Sequence, residues 1–192
     1  IGRAESKELA NMLEQNPETV FCIFCQKHAD IDSPNQEDLY ETGTFAKLMR
    51  VINMPNEEHQ KTIIVQGLGR CKLKKIVDKD PFYLADVESL PETWPTEKEA
   101  EDPMFKALTQ TFFEESIKFI QYNENIPNEA VYAINEITNR FVKCNFICTS
   151  LPFTAEDKIK MLEQEKLSER LIEALKALHK EQKLLYLQNE IR

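Results

Sequence analysis

The sequence has 192 residues, of which 42% are hydrophobic and 30% charged, as is typical of a globular protein with one large domain or two small ones. The net charge of −9 is shared between the halves, because residues 1–95 carry 11 basic and 16 acidic groups and residues 96–192 carry 13 and 17. Neither half can neutralise many phosphates, which argues against nucleic-acid binding, and no apolar run approaches the roughly 18–20 residues of a membrane helix.

The cysteines indicate the cellular compartment, and the glycines indicate the architecture. Five cysteines at irregular spacing favour free thiols in a reducing compartment, so we expect a cytoplasmic protein. All four glycines lie within the first seventy residues, where turns are needed, which leaves the second half free to be helical. We therefore predict an α+β protein, with a β-rich subdomain over residues 1–92, a proline-punctuated acidic linker over residues 93–102 and a helical bundle over residues 103–192.

The first half is predicted to begin with a helix over Ser6–Gln15 and to continue as short strands. Thr19–Cys25 is apolar on both faces, which predicts a buried central strand. Further strands are predicted over Gly43–Met54 and Thr62–Leu68, joined by a turn at Pro55–Glu58.

The end of the β-rich half is predicted from a second turn and two strands. Gly67-Leu68-Gly69 is the strongest turn pattern in the sequence. Beyond it apolar and basic residues alternate, which places the basic ones on the outer face as a solvated row: Arg70, Lys72 and Lys74. Phe82–Leu90 is expected to complete the sheet, with Ala85 and Val87 facing inward.

The second half is predicted to start at Asp102-Pro103, an N-cap followed by a proline suited to the first helical turn. A further helix is predicted from Pro127 to Phe141, followed by the apolar run Val142–Leu151. Thr154–Asp157 caps a short helix after that. Leu167–Arg192 is predicted to be one long helix, which we interpret as a connector that continues into a further module. The first residue is Ile1 rather than Met, so we expect the chain to be part of a longer protein.

The residue patterns for catalysis and metal binding are weak. Cys22 and Cys25 have the C-x-x-C spacing of a zinc or redox site, but residues three apart in a strand point to opposite faces, so we interpret them as structural thiols. The histidines stand singly, without the spacing of metal ligands: His28, His59 and His179. No serine lies in a nucleophile-elbow context, and we expect no catalytic residue, cofactor or metal in this chain.

Several stretches, taken together, resemble the N-terminal domain of the Lon family of ATP-dependent proteases. They occur in the order in which the family has them: Gly2-Arg3 with Ser6, Asp38–Thr44, Val65–Leu73, Leu151–Phe153 and Leu162–Leu171. Two departures stand out. The opening strands of the family, a Leu-Pro-Leu-rich run before Gly-Arg, have no counterpart here, and Gln66 stands where the family has Glu.

The resemblance implies a PUA-like β pseudo-barrel followed by a helical bundle, in a region that engages unfolded or damaged protein substrates and supports assembly of a homohexamer. It also implies two modules outside this chain: an ATPase module that needs ATP and magnesium, and a Ser-Lys peptidase module. The parent protein would then be an ATP-dependent serine endopeptidase. A stand-alone adaptor of the same fold, without a protease, is the alternative. An independent thiol or metal enzyme is a third hypothesis, which rests only on Cys22 and Cys25.

Two expectations concern binding surfaces. The charged first helix borders the expected open edge of the sheet, so we propose Arg3, Glu5 and Glu8 as substrate or partner contacts, with a solvated helix face as the alternative. Because the opening strands of the family are missing, the sheet is also expected to have an unpaired edge, through which two copies of the chain can associate.

Overall fold

The computed structural model describes residues 1–53, 55 and 60–191, which form two compact units, Ile1–Glu92 and Thr93–Arg192. The first unit has a helix, a short 3-10 turn at Gln36–Asp38 and a four-stranded antiparallel sheet, with these bounds: α1 Ala4–Gln15, β1 Phe21–Ile23, β2 Thr42–Asn53, β3 Lys61–Asp78 and β4 Leu84–Leu90. The second unit is helical: α2 Glu97–Ala100, α3 Pro103–Tyr122, α4 Glu129–Glu136, α5 Arg140–Ser150, α6 Ala155–Glu163 and α7 Leu167–Ile191. The predicted α+β class is confirmed.

The strands lie in the order β1-β2-β3-β4, and the centre of the sheet is the long antiparallel pair β2 and β3. The predicted turn at Gly67-Leu68-Gly69 is wrong, because these residues lie inside β3. Phe45 pairs with Gly69 and Ala46 pairs with Gly67, so Leu68 is the extra residue of a β-bulge. Glycine is frequent at bulges as well as at turns, so the Gly67-Leu68-Gly69 pattern could not distinguish a bulge from a turn. The turn predicted at Pro55–Glu58 lies, apart from Pro55, outside the described residues.

Strand β1 lies at one edge of the sheet, so the prediction of a buried central strand is wrong. It has three residues and pairs with β2 alone, through Phe21 with Ala46 and Ile23 with Thr44. The flanking Val20 remains 48% exposed. A short apolar run has the same pattern in a central strand and in an edge strand that borders a cavity, so periodicity could not decide between them.

Strand β4 forms the other edge, and there the predicted faces hold only in part. Val87 is half-buried, but Ala85, predicted to face inward, is exposed. The alternation on β3 is correct for Lys72 and Lys74, which lie on either side of the buried Leu73. Register shifts on β3 around Leu73 and Ile76 change which β4 residues face the interior.

Arg70 is the exception in the predicted basic row, because its side chain is buried rather than solvated. Its Nε lies 3.3 Å from Oε1 of Glu92, and its Nη2 donates a 2.5 Å hydrogen bond to the backbone carbonyl of Pro91. Since Arg70 pairs with Leu90 in the sheet, the guanidinium fastens the end of β4 to β3. The residue follows the bulge, where strict alternation of inner and outer faces breaks down.

In the helical unit the predicted helix from Pro127 to Phe141 is two helices. Helix α4 ends at Glu136, and Asn139 caps α5 by accepting hydrogen bonds from the backbone nitrogens of Phe141 and Val142 at 2.9 and 3.2 Å. The Asn N-cap is the signal that the sequence prediction missed. The other predicted starts are confirmed, since Asp102 caps α3 and Thr154 caps α6. Among the described residues no helix has both the length and the apolar character that crossing a membrane requires.

The core of the helical unit is aromatic and aliphatic. Its largest fully buried aliphatic and aromatic members are Phe112, Ile120, Ile134, Ile147, Leu151, Leu171 and Leu178. Within this unit the segment 93–102 contains α2, with Ala100 buried, and the Trp94 ring lies 5.6 Å from the Phe141 ring. Side chains from α3, α5 and α7 meet in one cluster, which explains the wide apolar face of α3.

A buried arginine joins three helices of this unit. Arg170, on α7, donates from Nε to the Met161 carbonyl at 3.2 Å and from Nη2 to the Gln164 carbonyl at 2.9 Å. Its Nη1 donates to Oδ1 of Asn145, on α5, at 3.0 Å. The guanidinium therefore satisfies carbonyls at the C-terminal end of α6, which no further helical turn can satisfy.

Replacement of Arg170 by Met should lower the free energy of unfolding by about 3 kcal/mol, because buried acceptors lose a charged donor. Urea denaturation of the whole chain, followed by circular dichroism, measures the change. Lys176→Met is the control, since Lys176 is exposed and its ion pair with Glu173 contributes less than about 1 kcal/mol. An Arg170→Met variant as stable as the control would contradict the role given to this side chain.

Candidate functional site

The first unit contains a mostly apolar groove of about 370 Å³ between α1 and the sheet. One face of α1 forms one wall, through residues spaced three or four apart: Glu5, Ser6, Leu9, Ala10 and Leu13. Ala10 and Leu13 are buried at the floor, where α1 packs on β2. Pro34, Leu39, Phe82 and Tyr83 also line the groove.

The opposite wall is the free edge of β1. Four consecutive residues, Phe21 to Phe24, line the groove. Successive side chains of a strand point to opposite faces, so a cavity that contacts four in a row lies along the edge of the strand rather than over one face. In the part of the chain that the structure describes, these four residues make backbone hydrogen bonds only toward β2, and the opposite edge is unpaired.

The wall depends on a close approach at Gly43. A Cβ atom at this position would lie 2.4 Å from the carbonyl oxygen of Ile23 and 2.5 Å from Cδ1 of Phe24. No side chain larger than hydrogen fits there unless β1 moves, since contacts under about 3 Å are repulsive. Gly43 thus leaves room for the Phe24 ring beside β2, where Phe24 forms part of the groove.

Hydrogen bonds of Arg3 hold the N-terminal end of α1 at the rim. The guanidinium donates to Oε1 of Gln26 and, at 3.0 Å, to the carbonyl of Ile31. Gln26 also donates to the Ile31 carbonyl at 2.9 Å. Arg3 is half-buried, so its side chain positions the helix against the loop that follows β1.

The residues nominated from the sequence are brought together in part. Arg3 and Glu5 both line the groove, whereas Glu8 is exposed one turn further along α1 and does not line it. Among the described residues, neither Glu5 nor Glu8 has an ion-pair or hydrogen-bond partner. Their role in substrate contact stays a prediction.

The aromatic side chains of the groove were missed by the sequence analysis: Phe21, Phe24, Phe82 and Tyr83. Phe21 and Phe24 were assigned to a buried strand, and Phe82 to the body of a strand that in fact begins at Leu84. The hydroxyl of Tyr83 donates to the Pro34 carbonyl at 2.9 Å, which anchors the loop before β4 beside the groove. In the sequence, the feature that could have indicated Phe82 and Tyr83 as groove residues is their position as an aromatic pair directly after Pro81.

The cysteines have the properties of structural thiols. The thiol of Cys22 hydrogen-bonds with the thiol of Cys71, whereas Cys25 is exposed, so the C-x-x-C pair does not converge. Burial raises the pKa of Cys71 and of Cys144 to about 12, so these thiols stay protonated at neutral pH and are poor nucleophiles. The residues that the structure describes contain no group of three or more His, Cys, Asp or Glu side chains placed to hold a metal ion; His59 lies outside them.

An antiparallel sheet followed by a helical unit is also the architecture of a solved structure, the N terminal domain of Mycobacterium avium complex Lon protease. The two superpose with a TM-score of 0.56 at 18% identity, over 85% of this chain and 91% of the other. The fold is therefore that of a Lon protease N-terminal domain.

Comparison of the sequence with known families identifies the family of this chain. The model of the ATP-dependent protease La (LON) substrate-binding domain matches residues 1–180, and the chain belongs to this family. Its curated relatives include the Lon proteases of Flavobacterium johnsoniae, 28% identical over 191 residues, and Chloroherpeton thalassium, 30% identical over 192 residues. Each alignment covers 100% of this chain but only 23% and 22% of the relative, so the chain spans less than a quarter of their length.

Substitution of Gly43 by Ala should lower the free energy of unfolding by about 1–3 kcal/mol, because the added methyl group overpacks the contact with Ile23 and Phe24. Gly69→Ala is the matched control in the same sheet. A Cβ at Gly69 meets nothing within 4 Å and its φ is not positive, so this variant should be as stable as the wild type or slightly more so. Equal urea midpoints for the two variants would contradict the proposed contact.

Proposed function

We propose that this chain is the substrate-binding part of a Lon protease and that it engages unfolded or damaged proteins through the groove between α1 and β1. The observation that carries the proposal is the groove itself, which is lined mostly by aromatic and aliphatic side chains of α1, β1 and the loop before β4. Unfolded proteins expose apolar side chains that folded proteins bury, so an apolar groove distinguishes the two states by accessible apolar area.

Family membership supports the same proposal. The matching family model is that of a substrate-binding domain, and the curated relatives are Lon proteases several times longer than this chain. A stand-alone adaptor has less support, since the two relatives named here are proteases. On this proposal ATP and magnesium serve an ATPase module outside this chain, and proteolysis takes place in a peptidase module.

A second role, support of hexamer assembly, belongs to the same proposal. Helix α7 is 25 residues long and would extend roughly 38 Å at ~1.5 Å per residue. Its last three turns expose apolar side chains: Leu184, Tyr186, Leu187 and Ile191. In a longer protein such a face would pack against a neighbouring element or subunit.

The groove proposal predicts that Ser6→Phe weakens binding of an unfolded protein. Ser6 lines the groove, and an aromatic ring there occupies its volume without removing an existing hydrogen bond. Binding is measured by fluorescence anisotropy with a labelled, reduced and carboxymethylated protein, beside the same protein folded. We expect selective binding of the unfolded form by the wild type and a loss of about tenfold, equal to ~1.4 kcal/mol, in the variant.

Gln15→Phe provides the control, since it adds the same ring at an exposed position outside the groove. Both variants should retain the wild-type urea midpoint. Unchanged binding by Ser6→Phe would remove the groove from the proposal. Absence of binding by the wild type at high concentration would move the role of the chain from recognition to assembly.

A further inference from the structure

We propose that the two units of this chain are joined by a short hinge at the peptide bond between Glu92 and Thr93, with no flexible linker on either side of it. The boundary between the units falls at this bond. The residues before and after the bond are each fastened within their own unit, so any reorientation of one unit on the other uses the few torsions beside it. This inference depends neither on the groove nor on the proposed function.

The β-rich unit holds its last residues through Arg70. Strand β4 ends at Leu90, and the unit ends two residues later at Glu92. Nη2 of Arg70 donates to the Pro91 carbonyl at 2.5 Å, and its Nε lies 3.3 Å from Oε1 of Glu92. The Arg70 side chain is only 5% exposed, so water competes little for these contacts. The backbone is therefore fixed to the sheet as far as Glu92.

The helical unit fastens the very next residue. The backbone nitrogen of Thr93 donates to the Glu165 carbonyl at 3.4 Å, and its hydroxyl donates to Oε1 of Glu165 at 2.5 Å. Thr93 also forms a parallel β-bridge with Lys166, between α6 and α7. One residue further on, the Trp94 ring lies 5.6 Å from the Phe141 ring. The helical unit thus holds the chain from its first residue.

The rest of the predicted linker, residues 93–102, is folded as well. Thr96 caps α2 by accepting a 3.2 Å hydrogen bond from the backbone nitrogen of Glu99. Ala100 is buried, and Arg140 on α5 donates to its carbonyl at 3.4 Å. Asp102 then caps α3. The polar and acidic composition that predicts a linker here supplies helix caps instead.

The consequence is a hinge with very few degrees of freedom. Peptide planes are rigid, so the soft torsions next to this bond are ψ of Glu92 and φ of Thr93. A flexible linker of ten residues would have about twenty such torsions. A few residues at the ends of elements that absorb the change in φ and ψ are the usual structure of a hinge. Movement of the helical unit would therefore pass to the β-rich unit without slack.

The same insertion, Gly-Ser-Gly-Ser, at two positions tests where the linker lies. Between Glu92 and Thr93 it leaves the contacts on both sides intact, so the urea midpoint of the helical unit should stay at the wild-type value. Between Lys98 and Glu99 it separates the two partners of the α2 cap and should lower that midpoint by roughly 0.5 M. The single tryptophan, Trp94, lies in the helical unit and reports its unfolding by fluorescence.

Backbone ¹⁵N relaxation of the whole chain measures the hinge itself. The amides of Trp94 and α2 should be as ordered on the ps–ns timescale as those of α3. The insertion between Glu92 and Thr93 should shorten the rotational correlation time of both units, because units on a longer tether tumble more independently. Thr93→Val removes the hydroxyl bonded to Glu165 and should lower the order at Trp94. Thr111→Val, at an exposed position on α3, is the matched control and should not.

Three results would overturn the inference. Equal urea midpoints for the two insertions would show that residues 93–102 are a linker rather than part of the helical unit. Wild-type amides at Trp94 and α2 that are much less ordered than those of α3 would show the same. Correlation times that do not change on insertion between Glu92 and Thr93 would show that this bond does not restrict the units. A Thr93→Val variant identical to its control would overturn the role given to the Thr93 hydroxyl.

Discussion

The structure of the candidate site depends on one steric constraint, the contact of β1 with Gly43. The backbone of Ile23 and the ring of Phe24 occupy the space that a side chain at Gly43 would fill. The absence of a side chain at Gly43 permits β1 to lie close to β2, with which it pairs through three residues. The position of β1 in turn fixes one wall of the groove, and Arg3 fixes the other by holding α1 to the loop after β1. A change at Gly43 would therefore alter stability and the shape of the groove together.

The stretches that resemble the family contain residues with structural roles. Gly43 permits the close approach of β1, Arg70 fastens β4 to β3, and Arg170 satisfies the carbonyls at the end of α6. None of these side chains lines the groove. Three other members of these stretches, Arg3, Ser6 and Leu39, do line the groove, whereas its aromatic residues lie outside them. The resembling stretches therefore identify the fold and only part of the groove.

The sequence predicted the positions of helices and strands better than it predicted which of them lie next to one another. Helix starts with a capping residue, such as Asp102 and Thr154, were correct because capping is a local interaction. The failures involve non-local structure. The place of β1 at the edge depends on which strands pair, and the burial of Arg70 depends on Glu92, more than twenty residues away. The groove is likewise a tertiary feature: Arg3 and Glu5 could be nominated from charge, but Phe82 and Tyr83 come to it from a distant loop.

The central claim is that the groove between α1 and β1 binds apolar segments of unfolded proteins. Backbone amide hydrogen exchange in α1 and at Phe21–Phe24, with and without a bound carboxymethylated protein, tests it most directly. These amides should exchange more slowly when the unfolded protein is bound, because a bound segment opposes local opening of the elements that it contacts. Binding without any change in exchange at β1, accompanied by protection elsewhere in the chain, would contradict the account.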